Sequence, residues 1–191
     1  MSSDEPNPYQ ASVAAVPAYV PAPLPKSASA VDDDQALFAP PAVKLIVMSV
    51  STLGLYVLYW FYRNWAAINR INQEDTWPFW RAVFAPLWSY SCFKAMAGIA
   101  EGRRRTLGFS PALLAIAFFL LNLSGRVPTP YWVFYLLLFV PLLPVNSIAR
   151  AYNQAERIGD QAAEGYSLWN WLAIVLGGGF VMLAFLGLLL L

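Results

Sequence analysis

Residues 43–65 read VKLIVMSVSTLGLYVLYWFYRNW, and the fold turns on how this stretch is understood. Between 43 and 62 only Lys44 carries a charge. At ~1.5 Å of rise per residue, about twenty residues cross a hydrocarbon core of ~30 Å. The run is therefore expected to be a membrane-spanning helix over 43–62. It ends in YWFYRNW, where five aromatic residues surround Arg63 and Asn64.

Two readings of that ending compete. Helical spacing puts Tyr56, Tyr59, Trp60 and Arg63 on one face, a cation–π arrangement that could cage a ligand. Phe61, Tyr62 and Trp65 fall on the other faces, so the rings encircle the helix. A belt at headgroup depth suits that distribution, because Trp and Tyr join an apolar body to a polar tip. Tyr56, Tyr59, Trp60, Tyr62, Arg63 and Trp65 are read as a membrane-interface belt.

Composition agrees with an apolar solvent. Of 191 residues, 59% are apolar and 12% charged, about half the charged share of an ordinary soluble domain. The net charge of +1 carries no basic footprint, so nucleic acid is not an expected partner. Cys92 is the one cysteine and histidine is absent, which excludes an intrachain disulfide, a Ser-His-Asp triad and histidine-ligated zinc or haem. No catalytic, cofactor-binding or metal-binding residue is expected.

Further along, apolar runs at 111–125, 131–148 and 169–190 are also expected to span. Ser110 and Pro111 mark a helix start, and Pro141 and Pro144 are expected to kink the third run. The segment 78–100 is apolar but interrupted by Arg81, Pro86 and Lys94. It is expected to lie in the interface, dip in and return, or span with a kink at Pro86. The positive-inside rule favours four spans, five being the alternative: Arg63, Arg70, Arg81, Lys94, Arg103–Arg105, Arg150 and Arg157 then share one side.

Two spans are expected to run on into amphipathic extensions. In the first, Trp65, Ile68 and Ile71 oppose Asn69, Arg70 and Gln73. In the second, Val145, Ile148, Tyr152 and Ala155 oppose a stripe of Asn146, Arg150, Asn153 and Arg157 suited to lipid phosphates. Asn122, polar within a span, needs a partner. Ala173, Gly177, Gly178 and Gly179 offer a small-residue face for helix packing; as a hinge they would instead join Pro86 and Lys94 in a discontinuous transport site. Residues 1–41, rich in Ala, Pro and Ser, are expected to form a disordered tail ahead of a membrane domain over 42–191, and MSSDEPNPYQ is no signal peptide.

TLGLYVLYWFYRNW (52–65) followed by WPFWRAVFAPLW (77–88) resembles small multi-pass bacterial inner-membrane proteins grouped as domains of unknown function. NPYQAS (7–12) likewise resembles tail elements of bacterial inner-membrane proteins. The resemblance covers roughly residues 38–190 and implies the bacterial inner membrane as location, with no activity, substrate or catalytic residue attached. The combined expectation is an all-α integral membrane protein, non-enzymatic, whose partners are the lipid bilayer and a second copy or another membrane protein. A small transporter or channel subunit is the runner-up. A lipid-modifying enzyme ranks last, since Glu74, Asp75, Glu101, Glu156, Asp160 and Glu164 all fall outside the expected spans.

Overall fold

The computed structural model describes residues 36–101, 108, 110–128, 131–156, 158 and 161–190. The expected tail up to residue 35 and the Arg103–Arg105 run lie outside them. Regular structure among the described residues is entirely helical. In chain order it comprises α1 (Ala42–Ser51), α2 (Leu55–Asn72), α3 (Pro78–Val83), α4 (Ala85–Glu101), α5 (Pro111–Ser124), the 3₁₀ helix η1 (Tyr131–Leu137), α6 (Leu142–Glu156), α7 (Gln161–Glu164) and α8 (Leu168–Leu189).

The stretch expected as one span over 43–62 is two helices folded back on each other. Leu53 (φ +51°) and Gly54 (φ +86°) adopt left-handed backbone after α1. Gly54 N–H donates to Ser49 O at 2.9 Å and Leu53 N–H to Val50 O at 3.1 Å, the paired bonds of a Schellman stop. Glycine suits position 54 because of its left-handed backbone, and a Cβ there would also press on the Tyr135 hydroxyl, at 2.9 Å. Beyond the turn, α2 returns towards the start of α1, since Asn64 hydrogen-bonds Phe38, three residues before the Pro41 cap. In a continuous helix those ends would lie about 30 Å apart.

The other expected spans also change. α5 has 14 residues, about 21 Å of helix and short of a ~30 Å core. The third run is η1 followed by a turn into α6, with Pro141 at the change from 3₁₀ to α geometry. Among the described residues two helices are long and apolar enough to cross a membrane: 131–156, through η1 and α6, and α8. Segment 78–100 breaks at Phe84 into α3 and α4, so Pro86 lies in the first turn of α4, where a missing N–H breaks no helical bond, and makes no mid-helix kink.

The core gathers on α2. Its inward face carries Tyr56, Val57, Trp60, Phe61, Asn64, Trp65, Ala67 and Ile68, a wide stripe at helical spacing. Phe61 meets Phe93 of α4 at 5.8 Å and Phe118 of α5 at 5.2 Å between ring centres. α4 buries Ala85, Ser89, Cys92, Phe93, Met96, Ala97 and Ala100 along one side and packs on α5, α6 and α2. α8 packs chiefly on α1 and buries only Val181 fully.

Candidate functional site

Residues 36–40, ALFAP, were counted with the tail, yet Leu37 and Phe38 are 0% and 2% exposed. They run without regular structure between α2 and α6 and are held by asparagine side chains. Asn153 Oδ1 accepts from Leu37 N–H at 3.1 Å while its Nδ2 donates to Leu37 O at 2.7 Å. Asn64 treats Phe38 likewise, Oδ1 accepting at 3.1 Å and Nδ2 donating at 3.0 Å. Each amide therefore reads both main-chain groups of one residue, as a neighbouring strand would. Successive residues of an extended chain offer these groups to opposite sides, which is why α6 takes Leu37 and α2 takes Phe38.

The carbonyls of Ala39 and Pro40 are also engaged. Asn146 Nδ2 donates to Pro40 O at 2.7 Å, and its Oδ1 accepts from Trp60 Nε1 at 3.1 Å. Arg150 donates to Ala39 O at 3.3 Å and pairs with Glu164 at 2.9 Å. The polar stripe of α6 expected at lipid phosphates thus turns inward at Asn146 and Asn153, both buried, onto this arm. Arg157 lies outside the described residues. Of the opposing stripe, Val145 and Tyr152 are buried, so α6 is covered on both sides.

The aromatic stretch divides between interior and surface. Tyr56, Trp60 and Trp65 are buried, Arg63 is half-buried, and Tyr59 and Tyr62 are exposed. The rings therefore do not all face outward around the helix. Phe38 sits edge-on to Tyr59 at 5.3 Å and to Tyr56 at 6.4 Å. The Arg63 guanidinium covers Phe38 at 5.0 Å and donates to the Tyr59 hydroxyl at 2.8 Å. One face of the stretch encloses a ring of the chain's own arm.

Beside it opens a cavity of about 560 Å³ lined by Phe38, Lys44, Tyr56, Tyr59, Tyr166 and Asn170. Lys44 is 2% exposed, donates to Ala163 O at 2.9 Å and to Gly165 O, and lies 5.5 Å from the Tyr166 ring centre. Its ammonium thus ties α1 to the segment leading into α8. Sequence reading placed Lys44 only as an edge charge, with no sign of this role.

Among the packing residues, Gly177 faces the α1 terminus so closely that a Cβ there would overlap the Ser51 carbonyl oxygen. Gly178 lies in ordinary contact range of the Ser51 hydroxyl, Gly179 faces open space, and Ala173 packs on the core. The transport set is not brought together. Pro86 lines a groove with Ala115 and Phe119 of α5, Lys94 is exposed on α4, and the glycines of α8 lie on or near α1. Arg81, read as a lone charge in an apolar segment, stacks between Trp65 at 4.4 Å and Trp88 at 5.1 Å, with Glu74 at 4.0 Å. Asn122 lines a cavity with Arg126, Trp132 and Tyr135.

A scan against family models finds no match, and searches of curated proteins and of solved structures likewise return none.

Proposed function

We propose that the chain is a multi-pass protein of the bacterial inner membrane with a non-enzymatic interaction or membrane-organising role. The observation that carries the membrane part is α8: 22 residues without a charge, whose most apolar window has a mean hydropathy of 2.5 and is only 6% buried. A core helix of a soluble protein would be covered, and a surface helix would have a polar face. An uncovered helix that is apolar all round suits lipid. In this reading about four apolar segments, namely α1 with the start of α2, α5, the η1–α6 run and α8, enter the bilayer. The α1–α2 hairpin is re-entrant. Its turn tolerates that depth because Thr52 Oγ1 donates to Met48 O at 2.7 Å and accepts from Tyr56 N–H at 2.9 Å.

The interaction part draws support from side chains of α2 and α6 that bind the main chain of residues 37–40; the sequence resemblance supports the location alone. Single cysteines placed at Asp33 and Asn69 in a Cys92→Ala background test the topology with impermeant maleimide. The re-entrant reading expects both to label from one side; opposite sides would restore a span at 43–62. Crosslinking in native membranes tests the role. A reproducible membrane partner or second copy is expected, and monomer alone with several crosslinkers would sink it.

A further inference from the structure

The arm is bound as a peptide ligand is bound, and this carries a prediction about the partner. Six hydrogen bonds hold residues 37–40, and all reach main-chain groups from side chains of α2 and α6. None comes from α1, the helix to which the arm is joined. Contacts of this kind do not depend on which chain supplies the arm. Pro40 and Pro41 lack N–H groups, so at the hinge only the Pro40 carbonyl is held by the cleft, and Pro41 sits at φ −51° and ψ 141°. Fixed ring dihedrals keep a released arm extended, so little ordering is lost on recapture.

An emptied cleft exposes the side chains of Asn64, Asn146 and Asn153, and an identical arm satisfies them without remodelling. Exchange of an identical element between copies is a low-cost route to dimers.

We infer that the α2–α6 cleft is a peptide-binding site that accepts the 36–40 arm of a second copy, so that the protein self-associates by arm exchange. This rests on the interaction reading above and names its partner; capture of other membrane proteins would survive its failure.

The test uses two differently tagged full-length copies expressed together in native membranes. One carries photoreactive benzoylphenylalanine at position 38. Irradiation is expected to join it to the α2 or α6 clamp of the other copy. Asn64→Ala or Asn153→Ala in the acceptor should lower that product about fivefold or more, as should excess synthetic peptide of residues 33–42. Products confined to the same chain, or trans products indifferent to the acceptor's asparagines, would overturn the inference. Should the bulky probe prevent recovery of the protein, native mass spectrometry of the unlabelled chain decides. A dimer that Asn153→Ala diminishes supports exchange; monomer alone, or a dimer unaffected by the substitution, refutes it.

Discussion

Trp60 and Asn146, 86 residues apart, are joined in the buried core by a 3.1 Å hydrogen bond from indole Nε1 to amide Oδ1. The same amide donates to Pro40 O at 2.7 Å, so one side chain links α2, α6 and the arm. Asn146→Ala leaves a buried donor and a buried acceptor without partners and is expected to destabilise the fold by about 2–4 kcal/mol. Asn146→Asp should rescue little, because a carboxylate can accept from Trp60 but has no N–H for Pro40. Chemical unfolding in detergent, followed by tryptophan fluorescence, measures both.

Gly177 and Gly179 should respond unequally to the same change. A Cβ at 177 collides with backbone of α1, which cannot move aside as a flexible side chain would, whereas 179 is open. Gly177→Ala is expected to cost about 1–3 kcal/mol and to loosen α8 from α1, while Gly179→Ala stays within about 0.5 kcal/mol. A crosslink between cysteines on α1 and α8 reads the loosening directly.

Arg81 should behave as a stacked cation more than as an ion-pair partner. Its guanidinium lies over two indoles, while Glu74 is at the limit of pairing distance. Arg81→Lys keeps the charge and loses the planar stack, at about 0.5–2 kcal/mol. Glu74→Gln should change stability by less than about 0.5 kcal/mol. Thermal unfolding of the two variants at low and high salt separates the contributions.

Cys92 is fully buried, with Met96 Sδ at 4.0 Å. Small thiol reagents are expected to leave it unmodified from either side of the membrane and to label it fully after denaturation. Fast labelling of the native protein would contradict the packing of α4 against α2.

Most of the helical segments were legible in the sequence because their apolar runs are long and their start signals local, as with Ser110–Pro111 before α5. The hairpin was not, although its stop is written in Leu53–Gly54. A run of twenty apolar residues satisfies the spanning rule whether or not the chain reverses inside it, and reversal is decided by what α2 finds to pack against. The arm was hidden by its neighbours, since ALFAP continues an Ala/Pro-rich composition. The usable signal was Asn64, Asn146 and Asn153: amides within helices that are otherwise apolar or covered need partners, and only Asn122 was read that way. What those amides hold depends on contacts up to 116 residues away, beyond the reach of local pattern.

Lys44 has a consequence for the order in which the molecule is completed. Its two carbonyl partners, at Ala163 and Gly165, are 119 and 121 residues further along the chain. During synthesis α1 emerges early, but the carbonyls that receive its ammonium come late, and so do the α6 amides that receive the arm. Of the described helices α1 is made first and is among the last to find its native place. A chain halted before residue 163 would hold the amides of α2 and α6 that receive the arm but lack the carbonyls that receive Lys44, making Ala163 and Gly165 a checkpoint on α1.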